Sequence, residues 1–386
     1  MKVRSQTRLA ALMLCATLLS CNLQTQPIEQ TDVKASRVQE VLRQSWKAYV
    51  DRFIQADGRV IDHKAGGITT SEGQAYAMLR AVWMRDRGVF DKTHTWAVNN
   101  LNSGIRKDAL WAWKWGKAPD GKWRVLDRAF ASDADEDAAL ALILAWKTWN
   151  DGAYWDRAQH MLASLWTAGT REVAGRRYLL AGDSLCDARS CRINPSYAAP
   201  YAYRIFLKFD QRHNWQELID SSYYLLNKAS ELTATRLPPD WLNLDLKDGR
   251  LTLGNEKDGS FSYDAFRVYW RVALDRDLHN DPQATRYLAE SLPWLMRQWE
   301  KQQKLPAVIS AKGQARADYE SMEMLAGLAP ALRILRPEIA GAMYGRIESS
   351  YSNGVWGDRD SYYLQNWAWF GTALYSGDLA LFNVLR

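Results

Sequence analysis

The apolar residues of this chain recur with the period of an α-helix over most of its length. Near the start they stand three and four residues apart, at Val38, Val41, Leu42, Trp46, Tyr49, Val50 and Phe53. This spacing is typical of an amphipathic helix. The same pattern predicts helices near 34–54, 71–86, 91–104, 134–150, 153–168, 197–210, 214–230, 264–275, 282–302, 317–332, 337–349 and 361–375.

Three long stretches between these helices lack a clear period, at 105–130, 169–196 and 231–262. Short strands are expected to pair within them, for example from Arg177 to Leu180. Long loops inside a compact helical chain usually carry function. We therefore look for the chemistry of this protein in and beside these loops.

The helices predict an all-α fold. About twelve helices with no strand-rich half and no linker indicate a single domain. Helix hairpins arranged around a centre would form a double-ring α/α barrel, and a helical solenoid is the alternative. The sequence shows no repeat of fixed period, which disfavours the solenoid.

The first twenty residues have the composition of an export signal. Three basic side chains precede an apolar run that ends at Ser20, and this run is too short to span a bilayer. We therefore predict a signal peptide at 1–20, a tether at 21–33 and the folded domain at 34–386.

The end of this signal resembles a bacterial lipobox. It reads Leu18-Leu19-Ser20-Cys21, and in a lipobox the Cys is lipidated and becomes the first residue of the mature chain. Asn22 differs from the Asp typical of inner-membrane retention, so the resemblance implies an outer-membrane lipoprotein that faces the periplasm or the cell surface. A soluble periplasmic protein is the alternative.

Removal of the signal peptide changes the charge of the chain. The full sequence has a formal net charge of +6, and residues 1–20 hold three basic and no acidic side chains, so the remainder carries +3. No dense basic patch remains, and we expect no nucleic acid among the partners.

Two cysteines fall in the predicted domain, Cys186 and Cys191, with four residues between them. In an oxidising compartment this spacing favours a local disulfide over a metal site.

Residues 116–122 imitate a phosphate-binding loop, but Trp123 stands where Ser or Thr must contact the magnesium. The chain lacks the H-E-x-x-H and G-x-S-x-G motifs. We therefore expect no metal and no cofactor.

Trp and Tyr are unusually frequent, with 19 Trp and 18 Tyr against 9 Phe. A core built only for packing would use more Phe, because Phe has no polar group that needs a partner. Trp and Tyr combine an apolar face with a polar end and suit hydrated recognition surfaces. The excess therefore suggests a binding cleft.

Three predicted helices begin with an acidic residue beside a long loop. Glu72 follows Ser71, which has capping-box spacing to Gln74; Asp133 opens a run with three further carboxylates at 135–137; and Asp264 follows Tyr263. One acid satisfies the helix dipole, and additional ones repel each other. In a barrel of helix pairs such helix ends gather on one face, so we expect the three acids to lie near each other.

These segments resemble conserved blocks of glycoside hydrolase family 8. The family signature A-S-D-A-D-x-x-[IM]-A-x-A-L-x-x-A-x-x-x-W matches residues 131–149 except at Ala138. Residues 71–78 are similar to S-E-G-Q-x-Y-x-M, and 194–197 and 262–267 are similar to two later blocks. The resemblance extends from about residue 34 to the C-terminus and implies an (α/α)6 barrel that hydrolyses β-linked polysaccharides.

The resemblance also implies roles for the three acids. Glu72 corresponds to the general acid, and Asp264 to the general base that activates water. The family inverts configuration, so Asp133 is expected to hold and distort the central sugar rather than attack it. Because a helix N-terminus favours an ionised carboxylate, we expect Asp133 and partial burial to raise the pKa of Glu72.

Aromatic residues near these blocks are expected to form sugar subsites, because aromatic faces stack on pyranose rings. They are Trp111, Trp113, Trp115, Tyr197, Tyr263, Tyr362 and Tyr363. Arg267 is expected to keep the base ionised or to bond a sugar hydroxyl. Four Trp on helical stripes are expected only to pack: Trp46, Trp146, Trp166 and Trp299.

The leading interpretation is a monomeric endo-β-1,4-glucanase at the cell envelope, similar to the family members associated with cellulose synthesis. Its expected partners are a β-linked polysaccharide and, through the lipid anchor, the membrane. A xylanase or chitosanase of the same family is an alternative, and so is a catalytically silent glycan-binding lipoprotein. The presence of all three acids argues against the silent binder.

Overall fold

The computed structural model describes residues 26–385, with side chains described from residue 36 onward. The predicted signal peptide at 1–20 and the predicted lipidation site Cys21 lie outside the described residues. The predicted tether at 21–33 is described only from Gln26, where the first helix already begins. This helix therefore starts before residue 34, where the apolar pattern begins.

Thirteen α-helices form the described part of the chain. They are α1 Gln26–Phe53, α2 Ser71–Trp83, α3 Arg87–Ala97, α4 Ser132–Trp149, α5 Gly152–Ala168, α6 Pro200–Phe209, α7 Trp215–Glu231, α8 Phe266–His279, α9 Pro282–Ser291, α10 Pro293–Gln302, α11 Met322–Leu332, α12 Pro337–Ser349 and α13 Tyr362–Ser376. A π-helical turn at Val98–Asn102 extends α3, and short 3₁₀ turns lie at Asp183–Leu185, Pro195–Tyr197 and Ala380–Leu385.

Six of these helices close into an inner ring. In order around the ring they are α2, α4, α6, α8, α11 and α13, and α13 contacts α2 again. Each inner helix has an outer partner, respectively α3, α5, α7, α9, α12 and α1. The predicted (α/α)6 barrel is therefore confirmed. Within residues 26–385, every helix falls short of the length and hydrophobicity that a membrane span requires.

The thirteenth helix arises from a proline. The apolar pattern predicts a single helix at 282–302, but the structure divides it into α9 and α10 at Leu292. Pro293 has no backbone N–H to continue the helical ladder. The apolar residues keep a period of 3.6 residues on both sides of Leu292, so the hydrophobic pattern alone does not show that the helix breaks there.

The inner helices are buried on all sides. Every residue of α4 from Ser132 to Ala145 is buried, which explains its run of Ala and Leu. Where α13 crosses α11, a Cβ at Gly371 would overlap the carbonyl oxygen of Ala326. Glycine is therefore required for the close approach of these two inner helices.

Ten short strands form four small antiparallel sheets in the described loops. The first contains β1 Thr69–Thr70, β2 Lys114–Lys117 and β3 Trp123–Asp127; the second contains β4 Thr170–Val173 and β5 Arg176–Leu179; the third contains β6 Ser190–Ile193, β7 Leu242–Asp245 and β8 Leu251–Leu253; and the fourth contains β9 Tyr351–Ser352 and β10 Val355–Trp356. The predicted strand at 177–180 corresponds to β5. A disulfide joins Cys191, which lies in β6, to Cys186 in the loop before it.

Candidate active site

Thr70 caps the helix that carries the first acid. Its hydroxyl accepts a hydrogen bond from the backbone N–H of Gly73 at 3.2 Å. The predicted capping box between Ser71 and Gln74 is wrong, because α2 already includes Ser71 and Gln74 accepts a hydrogen bond from the backbone of Val60 at 2.6 Å. The cap lies one residue earlier because β1 leads directly into α2.

Glu72 lies half-buried in the first turn of α2. Its Oε1 accepts a hydrogen bond from Trp113 Nε1 at 3.1 Å, and its Oε2 accepts one from Ser71 Oγ at 3.2 Å. Burial, and next the negative charge of Asp133, raise the pKa of Glu72 to about 7, whereas the positive charge of Arg267 lowers it. A carboxyl group with this pKa can carry a proton near neutral pH.

Asp133 is buried in the first turn of α4, with 1% of its surface exposed. Its Oδ2 accepts a hydrogen bond from Arg267 Nη1 at 2.8 Å, and its Oδ1 accepts one from the backbone N–H of Ala134 at 3.0 Å. Burial raises the pKa of Asp133, while the positive charges of Arg267 and Arg271 oppose this rise. The arginine pairing makes burial of this carboxylate tolerable.

Asp264 precedes α8 and shares Arg267 with Asp133. Its Oδ1 accepts a hydrogen bond from Arg267 Nη2 at 2.5 Å, and its Oδ2 accepts one from Trp241 Nε1 at 3.0 Å. Its side chain is 33% exposed, whereas that of Arg267 is 4% exposed. A carboxylate has about four acceptor sites, so the partly exposed Asp264 retains capacity for a water molecule.

Tyr197 lies where the three acids converge. It is buried, and the Arg267 guanidinium carbon lies 5.3 Å from the centre of its ring. Burial raises the pKa of its hydroxyl, and so do the negative charges of Asp133, Glu72 and Asp264. One tyrosine is therefore within electrostatic range of all three carboxylates.

The acids that follow Asp133 are buried inside the barrel rather than exposed as a helix cap. Arg271 Nη2 donates a hydrogen bond to Asp137 Oδ2 at 3.2 Å, and the Tyr203 hydroxyl donates one to Glu136. Burial raises the pKa of Asp137 to about 6. Glu136 and Asp137 therefore have partners from other helices, and Asp135 accepts a hydrogen bond from the loop backbone N–H of Trp111 at 2.9 Å.

The tryptophans of the loop after α3 have different environments. Trp111 is 1% exposed, so the prediction that it binds sugar is wrong. Trp113 is 37% exposed and contacts Glu72. Trp115 is half-buried, because Trp123 stacks on it at 5.1 Å between ring centres. Trp123 is 46% exposed, so it provides the open ring of this stacked pair.

A second aromatic group lies beside Asp264. Tyr263 is 38% exposed, and its hydroxyl lies 3.5 Å from that of Tyr319, which is 53% exposed. The Tyr363 hydroxyl donates a hydrogen bond to the Tyr263 carbonyl at 2.6 Å. Tyr362 is half-buried at the start of α13.

Of the four tryptophans predicted to pack, Trp46 and Trp299 are buried, and Trp146 and Trp166 are partly buried against the core.

Sequence patterns did not identify several residues of this site. Trp241 and Asp240 follow two prolines in a long loop, Trp123 lies in the β2–β3 hairpin, and Tyr319 lies outside the recognised blocks. The only sequence signal for these residues was their aromatic or acidic type beside turn residues. Their importance follows from contacts that appear only when the loops fold over the barrel.

Comparison with known proteins identifies relatives of this chain. The sequence profile of glycosyl hydrolases family 8 matches residues 30–353. A protein named endoglucanase from Escherichia coli strain K12 is 36% identical over 252 residues, which span 64% of this chain and 66% of that relative. The match thus extends over slightly less than two thirds of that relative's length.

Solved structures share the fold. The endo-1,4-D-glucanase from Vibrio fischeri ES114 superposes with a TM-score of 0.73 at 26% identity, over 86% of this chain and 94% of its own. A beta-1,3-1,4-glucanase from Paenibacillus sp. X4 superposes with a TM-score of 0.75 at 19% identity, over 89% of this chain and 92% of its own. The second likeness concerns the fold alone.

Proposed function

Because this chain belongs to glycosyl hydrolase family 8, we propose that it hydrolyses β-1,4-glycosidic bonds of a glucan with inversion of configuration. The observation that carries this proposal is the convergence of Glu72, Asp133 and Asp264 around Arg267 and Tyr197. Inverting hydrolysis needs one protonated carboxyl group and one carboxylate, roughly 6.5–9.5 Å apart, with a water molecule between the carboxylate and the sugar.

Glu72 is the general acid in this proposal. Its pKa of about 7 keeps a proton available near neutral pH, and its position beside the exposed Trp113 gives a glycosidic oxygen access to it. It protonates the leaving oxygen as the glycosidic bond breaks. Burial offsets the tendency of the helix N-terminus to keep this carboxyl group ionised.

Asp264 is the general base. Arg267 and Trp241 each donate a hydrogen bond to it, and these bonds fix the orientation of its carboxyl group. It removes a proton from the water that attacks the anomeric carbon on the face opposite the leaving group. Asp133 is too deeply buried to reach a second water, so it acts by holding Arg267 beside the scissile bond.

The exposed aromatic side chains suit a glucan chain. Trp113, Trp123, Tyr263 and Tyr319 all retain exposed surface at the N-terminal ends of the inner helices. Uncharged pyranose rings stack on such faces through their C–H surfaces. The E. coli relative is named endoglucanase, which supports a β-glucan rather than xylan or chitosan as substrate.

Product analysis tests this proposal. Wild type, Glu72→Gln and Asp264→Asn are incubated with carboxymethylcellulose, xylan and chitosan, and the anomer first released from cellohexaose is followed by proton NMR. We expect wild type to cleave the β-glucan with inversion, and each variant to lose about a hundredfold or more in kcat. Cleavage of xylan or chitosan alone, or retention of configuration, would contradict the proposal. Failure to cleave any polymer would favour a glycan-binding lipoprotein.

We also propose that the protein is exported and lipidated at Cys21. The support comes from the basic and apolar residues before Cys21 and from the disulfide between Cys186 and Cys191, since disulfides persist in oxidising compartments. Metabolic labelling with palmitate tests this proposal, with Cys21→Ser as the matched variant. Label in wild type and none in the variant is expected, whereas an unlabelled wild type recovered in the periplasmic fraction would indicate the soluble alternative.

A further inference from the structure

Asp240 holds the segment that carries Asp264, although it lies 24 residues earlier in the chain. Its Oδ1 accepts hydrogen bonds from the backbone N–H groups of Ser262 at 3.1 Å, Asp264 at 3.2 Å and Ala265 at 2.8 Å. Its Oδ2 accepts a hydrogen bond from the Ser262 hydroxyl. Asp240 is 6% exposed. One buried carboxylate thus binds almost every backbone donor of this turn.

The start of α8 depends on this distant carboxylate. The residue at its N-cap position is Ala265, which has no side-chain oxygen and makes no capping hydrogen bond. The first backbone N–H groups of α8, those of Phe266, Arg267 and Val268, donate to carbonyls of the 262–265 turn. Asp240 in turn accepts from the backbone N–H groups of this turn, including that of Ala265, so it sets the direction in which the chain enters α8.

The segment that carries Asp240 is itself held in place. The Asp240 N–H donates to the Ser260 carbonyl at 2.7 Å, and the Trp241 N–H donates to the Asp258 carbonyl at 2.9 Å. Two prolines precede Asp240 and restrict the backbone there. The next side chain, Trp241, donates its Nε1–H to Asp264 Oδ2 at 3.0 Å. Two consecutive residues therefore hold both the backbone and the carboxylate of Asp264.

We propose that Asp240 is a positioning residue of the hydrolytic reaction, which orients Asp264 toward the attacking water. The inference rests on the proposed role of Asp264 as general base. Asp240 does not touch the sugar, because its two oxygens face the backbone and hydroxyl of the 262–265 turn. Misplacement of a catalytic group by about 1 Å can lower a rate by about a hundredfold.

The charge of Asp240 depends on the pH. Burial and the negative charge of Asp264 raise the pKa of Asp240 to about 7, while its hydrogen bonds from Ser262 and Ala265 oppose this rise. Above this pH Asp240 is ionised, and an asparagine in its place retains one oxygen that accepts backbone hydrogen bonds but loses the charge that makes these bonds strong. Asp240→Asn therefore weakens the turn and leaves its shape in place.

Steady-state kinetics on cellohexaose test the proposal. We expect Asp240→Asn to lower kcat by about ten- to a hundredfold and to leave KM within about twofold, since the subsites are not altered. Asp245→Asn is the matched control, because Asp245 lies in the adjacent strand β7 and its carboxylate accepts a hydrogen bond from the Lys247 backbone rather than from the turn that carries Asp264. This control is expected to retain wild-type kcat and KM.

A double-mutant cycle separates positioning from general structural support. If Asp240 acts through Asp264, Asp240→Asn causes no further loss of residual activity in the Asp264→Asn background. An equal loss in both backgrounds, an unchanged kcat in Asp240→Asn, or a rise in KM that accounts for the whole effect would overturn the proposal.

A milder variant keeps the proposal testable if Asp240→Asn fails to fold. Ser262→Ala removes only the hydroxyl donor to Asp240 Oδ2, and it is expected to lower kcat about threefold to tenfold at constant KM; an unchanged kcat would overturn the proposal. An inactive wild type or an active Asp264→Asn would instead contradict the proposed function. An active wild type, an inactive Asp264→Asn and an unaffected Asp240→Asn would contradict this inference alone.

Discussion

Arg267 Nη1 donates a hydrogen bond to Asp133 Oδ2 at 2.8 Å and thereby joins α8 to α4 inside the barrel. One helical turn further along both helices, Arg271 donates to Asp137 at 3.2 Å. Residues four apart on a helix share a face, so the two pairs form a ladder. Arg267 also donates a hydrogen bond from Nη2 to Asp264 Oδ1, so the Arg267–Asp133 pair includes a second carboxylate. The geometry of the acids therefore depends on one arginine.

Replacement of Arg267 by lysine should disrupt this arrangement. A lysine ammonium is a single point charge and does not reproduce the fork that binds two carboxylates at once. We expect Arg267→Lys to lower kcat by about a hundredfold or more and to destabilise the fold by roughly 1–3 kcal/mol. Activity assays and urea denaturation measure both effects. Arg124→Lys is the control, since Arg124 pairs with Asp120 on the surface; an equally small effect at both positions would contradict the bridging role.

The raised pKa of Glu72 predicts a stability that depends on pH. The folded chain holds the Glu72 proton up to about pH 7, whereas the ordinary value is 4.5. The folded state therefore binds more protons than the unfolded state between these values, and stability falls as the pH rises through this interval. We expect Glu72→Gln to be more stable than wild type at pH 8 by up to about 3 kcal/mol, with little difference at pH 4.

Urea denaturation at the two pH values measures this effect. Glu338→Gln is a control of opposite sign, because Arg336 holds the pKa of Glu338 below its usual range on the surface. The ionised Glu338 therefore stabilises the folded state at neutral pH, and this stabilisation is lost as the pH falls and Glu338 becomes protonated. A Glu72→Gln variant with the same stability advantage at both pH values would show that burial does not raise this pKa.

Asp133 should also affect the pH dependence of catalysis. Its negative charge is the second cause of the raised pKa of Glu72, after burial. In Asp133→Asn we expect the basic limb of the kcat/KM profile to move to lower pH, because ionisation of Glu72 becomes easier. The residual rate is expected to be about a hundredfold lower. A basic limb that is lost in Glu72→Gln but stays at its wild-type pH in Asp133→Asn would exclude this coupling.

The exposed and half-buried rings of the Trp123–Trp115 pair should respond differently to removal. Trp123→Ala is expected to raise KM for cellohexaose several-fold, consistent with loss of about 1 kcal/mol of stacking, and to leave kcat unchanged. Trp115→Ala is expected mainly to lower stability, because Trp115 packs against Trp96 at 5.4 Å between ring centres and against Arg59. Kinetics and thermal denaturation distinguish the two. Equal KM effects would show that both rings contact sugar.

The disulfide between Cys186 and Cys191 should stabilise the fold modestly. The two residues are five positions apart, and closing so short a loop contributes about 2 kcal/mol. The double variant Cys186→Ser/Cys191→Ser is therefore expected to lose about this amount in urea denaturation and to retain activity within about twofold, because β6 stays paired with β7. A large loss of activity would show that the disulfide also positions Tyr197, which follows β6.

Local sequence patterns identified much of the architecture. The helical period predicts nearly every helix because one buried face is enough to create it. The period cannot show the break at Pro293, where burial continues across a change of helix. It also cannot separate Trp111, which is buried, from Trp113, which is exposed, because both lie in a loop without periodicity.

The sequence by itself determined which acids stand at helix starts, where Glu72, Asp133 and Asp264 are visible as residue types beside turn signals. The tertiary structure alone decided what each acid touches. Arg267 reaches Asp133 across 134 positions, and Asp240 reaches Ala265 across 25. Hydrogen bonds of this range and the burial that alters each pKa arise only when the inner ring closes and the loops fold over its end.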